Sequence, residues 1–256
     1  GEFIQSHSGD DVRAILVRVG VDQEYGGWNA PVDPSTGEFV YVPIPEGAKQ
    51  FQNGQRRSLG EFLLAVDRFH ESRALQPRLH PTEGVRSPGS AVHLDPDFEH
   101  LTYGDDGKKR GKEVAQLASG DLLVFYSGLK PIEKCEHKLV YAIVGLYVVN
   151  EVAAVGDIPS HRWHENAHTR KAPHFPGDIV VRAKPRQSGK LQRCLPIGEW
   201  RERAYRVRED LLKAWGGLSV KNGFIQRSAV PPSFRDPERF YSWFKEQSVS
   251  LVARNF

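Results

Sequence analysis

GDLLVFYSG (120–128) and LVYAIVGLYVVNEV (139–152), joined by the polar connection LKPIEKCEHK, carry the strongest structural signal in the chain. Both runs are rich in β-branched and aromatic residues, and the first opens on a glycine–aspartate turn. Two such runs separated by about ten polar residues read as an antiparallel hairpin. Gly145 interrupts the second run, where a bulge or a close backbone approach to a ligand is expected. Upstream, AILVRVGVD (14–22) reads as a central strand, and FVYVPIP (39–45) as a second one. Two prolines place the latter at a sheet edge or a strand end. Between them lies the turn-rich loop QEYGGWNAPVDPSTGE.

Helical spacing governs other stretches. Leu59, Phe62, Leu63, Val66 and Phe69 predict a helix over 58–69, with Ser58 and Glu61 in capping-box positions. A short helix is expected at 112–118 and a helix over IPSHRWHENAHTRK (158–171), and DIVVRAK (178–184) reads as a strand. Trp200, Ala204, Val207, Leu211 and Leu212 predict a basic amphipathic helix over 199–214. DPERFYSWFKEQ (236–247) reads as an aromatic helix with Pro237 in its first turn. Residues 76–90, rich in proline, glycine and serine, read as an irregular loop. The fold expected is α+β, with a mixed, partly barrel-like sheet and packed helices. Residues 13–256 form one such domain, and residues 1–12 read as a tag or a disordered N-terminus.

Composition narrows the class. The 256 residues are 39% hydrophobic and 26% charged, which argues against a disordered chain. No apolar run reaches the roughly 20 residues that span a bilayer. Two cysteines, Cys135 and Cys194, exclude a disulfide framework and a four-cysteine zinc site, so a reduced, cytoplasmic setting is the expectation. The net charge of +3 is modest, but Arg182–Lys213 holds ten basic residues against four acidic ones. That stretch, with Arg182, Lys184, Arg186, Lys190 and Arg193 at its head, fits a nucleic-acid backbone. It reads equally as a solvated helix face laced with ion pairs.

Three clusters offer chemistry. On a helix His161, His164 and His168 would share one face, and HENAH has the shape of H-E-x-x-H, which suggests a metal-dependent hydrolase built on His164, Glu165 and His168. His93, Asp95 and Asp97 would share one side of an extended segment, able to bind a divalent ion or orient a general base. The alternative there is a capped turn, since aspartates beside proline often bond their own backbone. Trp28, beside Gly26-Gly27, is placed to stack on a planar ligand or to plug the sheet. Asn29 offers the donor and acceptor that a heterocycle edge requires, and Tyr126 is a second candidate wall. Arg193 beside Cys194 would lower that thiol's pKa. No nucleophile elbow and no dinucleotide fingerprint occurs, so no cofactor is expected.

In order and spacing, ILVRVGVD…GGWNAPV, FVYVPIPE, HLDPDFEHLTYGD, GDLLVFYSGL, YAIVGLYVV and NAHTR together resemble the family called nucleotide modification associated domain 3, from about residue 14 to about residue 229. The resemblance implies a component of a system that modifies, recognises or restricts unusual DNA bases, usually in prokaryotes and their viruses. The polar segments that match are Arg18–Asp22, Gly26–Asn29, His93–Asp95, Thr102–Asp105 and Asn166–Arg170. More weakly, GDLLVFYSGL with YAIVGLYVVNEV is similar to the strand pair of PUA-like domains, including the EVE and ASCH groups, small barrels that look like readers of modified bases or RNA. Two functions follow as expectations. One is a protein that binds DNA or a modified nucleotide, the base lying between Trp28 and Tyr126 with Asn29, Asp95 or His93 reading its polar edge, and with Arg18, Asp22, Tyr103, Asn166 and Arg170 as further substrate contacts. The other is an enzyme cleaving an N-glycosidic bond or transferring a base group, with Asp95 stabilising positive charge while His93 or His168 moves a proton.

Overall fold

A computed structural model describes residues 11–75, 87–108, 111–227 and 230–256. Its centre is the hairpin expected from the sequence: β6 (Leu122–Pro131) pairs antiparallel with β7 (Val140–Ala154). β1 (Ala14–Arg18) runs parallel to β6 on one side, and β2 (Pro31–Val32) pairs with the far end of β6. Beyond β7 the sheet divides. β8 (Ile179–Ala183) takes the C-terminal half of β7 and then pairs with β5 (Thr102–Asp105), while β9 (Gly189–Pro196) takes the N-terminal half and pairs with β12 (Leu251–Val252). The sheet is mixed and open. The fold is α+β as expected, but the strands do not close into a barrel.

Alternation along the central strands buries both faces. Leu123 and Phe125 look to one side, Leu122, Val124 and Tyr126 to the other. On β7 the alternation changes phase at Val144. Gly145 faces Phe125 but Ile143 faces Tyr126, so Val144 is the extra residue of a β-bulge. Gly145 does admit a close approach there, though to protein and not to a ligand: an added Cβ would lie 2.5 Å from Phe98 Cε1.

α1 (Leu59–Glu71) covers the first face with Leu59, Phe62, Leu63, Val66 and Phe69, the stripe read from the sequence. Burying a ring such as Phe62 is worth about 2–3 kcal/mol. Ser58 precedes the helix but its side chain makes no cap bond; Glu61 pairs instead with Arg57 at 3.0 Å. On the second face, α4 (Glu209–Trp215) and α5 (Pro237–Glu246) pack Leu211, Trp215, Phe240 and Phe244 against the sheet. Asp236 caps α5, accepting from Arg239 N at 3.1 Å, with Pro237 in the first turn.

Several local expectations are corrected. β1 ends at Arg18 and lies at the margin of the sheet, where residues 232–234 bond its free side. FVYVPIP is buried chain that becomes strand only at β3 (Ile44–Pro45), opposite β4 (Val92–His93). α2 covers only Lys112–Ala115. The basic helix over 199–214 is instead a hairpin, β10 (Gly198–Arg201) and β11 (Ala204–Val207), followed by α4. Residues 158–171 break into a 3-10 turn over Ser160–Glu165 and α3 (Ala167–Arg170), because Asn166 is fully extended (φ −149°, ψ 151°). Most of the loop at 76–90, and residues 1–10 of the expected tag, lie outside the described residues. No helix among the described residues is long and apolar enough to cross a membrane.

Candidate functional site

Backbone pairing assembles the site from four distant segments. β3 and β4 place Ile44 opposite His93, so that Glu46, just beyond β3, reaches the His93 ring: its Oε2 lies 2.7 Å from Nδ1. After β4 the chain doubles back through Asp97 and Thr102, whose backbones exchange both hydrogen bonds, and this carries Gly104 over Asp95. Gly104 N donates to both Asp95 oxygens, at 2.9 and 3.0 Å. From α3, His168 brings Nε2 to 3.3 Å from Asp95 Oδ2, with its Nδ1 held 2.7 Å from Asp178 Oδ2 at the start of β8. His93 Nε2 stands 3.7 Å from that same Asp95 oxygen, and the two imidazoles meet edge to face at 5.0 Å. Space here depends on Gly104, where an added Cβ would fall 2.3 Å from His168 Cδ2.

Opposite charges are packed against one another here, each imidazole lying between two carboxylates. Burial opposes the charged form of Asp95, yet His168 and His93 outweigh it and hold the carboxyl at about 2. Burial likewise works against the His168 imidazolium, but Asp178 and Asp95 raise it to about 9; His93 is raised against burial by Asp95 and Glu46. Asp105 behaves oppositely. Burial, reinforced by the nearby Asp95 and Asp106 charges, lifts it to about 6 despite the hydrogen bond from Asp106 N and the attraction of His168.

These groups line an open cleft of about 400 Å³ whose walls include Arg18, Tyr25, His93, Asp95, Tyr103 and His168. Arg18 bridges Asp22 at 3.3 Å and Glu24 at 3.2 Å, and stands 5.4 Å from the Tyr25 ring centre. A larger groove of about 1050 Å³ beside α5 gathers no comparable cluster. Its Asp121 carboxylate is spent on Arg13 N and Ala118 N at 2.9 and 2.8 Å.

Of the residues singled out in the sequence, Arg18, His93, Asp95, Tyr103, Tyr126 and His168 converge on this cleft. Tyr126 reaches it but offers no free face: it is 1% exposed and its hydroxyl donates to Ile225 O at 2.7 Å. Asn166 supports from below, donating to Asp95 Oδ1 at 3.0 Å and accepting from His168 N at 2.9 Å. Trp28 lies elsewhere. It is 7% exposed, packed near Val21, Pro43, Pro45, Leu59 and Val92 with only about 10 Å³ of space beside it, so it plugs the sheet. Asn29 is spent on Gly128 O and Gln23. Arg170 is buried against Asp97 and the His164 carbonyl.

The H-E-x-x-H reading does not survive the break at Asn166. His164 turns edge-on to His100 at 5.0 Å, Glu165 pairs with Arg162 and Arg182, and His168 turns to Asp95. The aspartates around Pro96 divide the two readings given them: Asp95 enters the site, whereas Asp97 caps its own turn through Glu99 N and His100 N at 3.0 and 3.3 Å. Burial pushes the Cys194 thiol up to about 12, the reverse of activation. The basic residues do not form one helical face. Arg182 pairs with Glu151 and Glu165, while Lys184 is half-buried and Arg186 and Arg193 are exposed. Lys190 is buried with Nζ 4.7 Å from the Phe39 ring centre, and burial pulls it down to about 8.

Sequence reading missed Glu46 and Asp178, and it gave no role to Asp105 or Tyr25, although both lie in segments it singled out. Glu46 and Asp178 carry no motif, and only strand register brings them to the histidines. Tyr25 sits in the loop singled out for Trp28, at 40% exposure. The model of the family described as nucleotide modification associated domain 3 matches residues 13–222, a span holding every one of these site residues. No match was found to a curated protein or to a solved structure.

Proposed function

Since the chain belongs to the nucleotide modification associated domain 3 family, we propose that it is an enzyme of a nucleotide-modification system, with the 400 Å³ cleft as its reaction site. The observation that carries this reading is the convergence of two carboxylate-held imidazoles on the single buried carboxylate of Asp95. Burying so many ionised groups is costly to folding, and a scaffold gains little from turning both ring edges to an open cleft. Perturbed, mutually coupled groups of this kind are characteristic of reaction centres.

Within the cleft, Tyr25 offers the exposed ring on which a base stacks, worth about 1–3 kcal/mol per base, and Arg18 beside it, which also bridges Asp22 and Glu24, supplies a cation for a phosphate. The reacting group sits against His93, Asp95 and His168. Asp105, whose carboxyl changes charge near neutrality, carries the proton. This replaces the Trp28–Tyr126 sandwich with a single-sided platform. Substrate as a DNA base, free or flipped, is part of this proposal.

The test is incubation with duplexes carrying different modified bases, and with the corresponding nucleotides, bound and released species being measured together. Turnover that falls at least about 100-fold in Asp95→Asn and His168→Gln is the expected result. Tight binding with every base recovered unchanged would make the protein a reader and overturn the enzymatic reading.

A further inference from the structure

We infer that His93 Nε2, Asp95 Oδ2 and His168 Nε2 form a binding site for one divalent transition-metal ion. The inference rests on the reading of the cleft as a reaction site, and deepens it.

The three ligand atoms lie within 4.8 Å of one another, and both ring nitrogens address the same carboxylate oxygen at 3.7 and 3.3 Å. Metal–ligand bonds of about 2.0–2.2 Å bring neighbouring ligands to roughly 3 Å apart. The two nitrogen–oxygen separations exceed that spacing by only about 0.3 and 0.7 Å.

The outer layer is already built. Each histidine has its rear nitrogen, Nδ1, fixed 2.7 Å from a different carboxylate, Glu46 for His93 and Asp178 for His168. A carboxylate behind a ligating imidazole sets the tautomer, turns the Nε2 lone pair forward and strengthens it as a ligand. Asp95 is held just as firmly, by Gly104 N and Asn166 Nδ2 on Oδ1. A histidine serving packing alone does not need a carboxylate at both ring nitrogens; here two adjacent ones have that arrangement.

Charge points the same way. Three carboxylates, Glu46, Asp95 and Asp178, surround the two imidazoles, an excess of acidic groups that a divalent ion offsets. Two histidines and one carboxylate leave the remaining coordination positions facing the cleft, an arrangement suited to Fe(II) and other first-row ions and unlike the all-oxygen shell of Mg²⁺ or Ca²⁺. The other gathering of metal-type side chains among the described residues, Asp97, Glu99 and His100, lacks this freedom. Asp97 Oδ2 accepts from His100 Nδ1 at 2.8 Å and from Arg170, whose guanidinium repels a cation.

The test uses Co²⁺ as probe. Chelator-stripped protein is titrated with cobalt while visible d–d absorption and the melting temperature are followed, with Mg²⁺ as control. One equivalent is expected to bind with a rise in melting temperature. His93→Gln and His168→Gln should abolish binding, and Glu46→Gln and Asp178→Asn should weaken it about 10- to 100-fold. His164→Gln should bind as the parent does. Circular dichroism identifies the folded variants on which the comparison rests. A folded protein that binds no cobalt at roughly millimolar concentration overturns the inference, as does binding that survives both histidine changes. Nucleotide binding measured in chelator separates the two readings: if it persists while cobalt fails, the metal site falls and the cleft stands. Cobalt bound as expected by a protein that takes no nucleotide upholds the metal site alone.

Discussion

Asp105 illustrates how function and stability oppose one another at a single residue. Its folded pKa of about 6 lies above the ordinary 3.8. Between those values the folded chain holds a proton that the unfolded chain has released, so stability from this group falls as pH rises through the window and is lowest above about 6. Asp105→Asn removes the penalty and still accepts from Asp106 N, now at 2.7 Å. The variant should therefore gain about 1–2 kcal/mol near pH 7.5, a figure reduced for partial solvent screening, and the gain should shrink as pH is lowered towards 4. Urea unfolding at the two pH values reads this directly. An equal gain at both, or a loss, would show that the carboxyl is not held out of its ordinary range. Nothing in YGDDGKK marks Asp105 apart from Asp106. The distinction arises from burial beside Asp95, which depends on how the 97–102 turn folds back. His93 and Asp95 were legible because their i, i+2 spacing puts both on one side of an extended chain.

The stretch 198–207 has the period of strands, not of a helix. Trp200, Ala204 and Val207 fit a helix, but they belong to a hairpin whose turn residues, Glu202 and Arg203, have φ of 51° and 63°. Two consecutive positive φ angles match the primed turns that suit a hairpin's twist, normally marked by Asn-Gly or Asp-Gly. Glu-Arg carries no such mark, so the strands were hidden. The same geometry gives a prediction. Arg203→Gly relieves the left-handed strain while leaving Asn222 Nδ2 donating to Glu202. It should raise stability by about 0.5–1 kcal/mol in thermal melts; a fall of that size would contradict the turn. The β6–β7 hairpin was legible because its apolar runs are too long and too branched to be loops. Its bulge was legible only as a glycine. Gly145→Ala should cost about 2–3 kcal/mol in urea unfolding, since the new methyl meets Phe98; a neutral result would place Phe98 elsewhere. The break at Asn166 escaped detection because an asparagine inside a polar run reads as tolerable helix. Its side chain caps α3 and braces Asp95, two tasks that spacing does not reveal.

Across the whole molecule, the end of the chain secures the segment that carries the site. Asn255 is buried, 157 residues along from Phe98, whose backbone N–H donates to its Oδ1 at 2.8 Å. Its Nδ2 donates to Asp97 Oδ1 at 3.1 Å, and neighbouring Phe256 sets its ring edge-on to Phe62 of α1 at 5.3 Å. Asp97 in turn joins His100 and Arg170, the last residue of the short helix that presents His168. The family match ends at residue 222, so this brace lies beyond it. Asn255→Ala leaves the buried Phe98 N–H without its acceptor and takes one donor from a fully buried carboxylate. Orphaning such groups costs about 1–3 kcal/mol each, so a loss of about 2–4 kcal/mol is expected in urea unfolding. Because the turn at Asp97 sets Gly104 over Asp95, the same change should also loosen the metal-type cluster and weaken cobalt binding several-fold at temperatures where the variant remains folded. Lost stability with cobalt affinity intact would confine the brace to packing; intact stability would mean that the C-terminal contact is not made in solution.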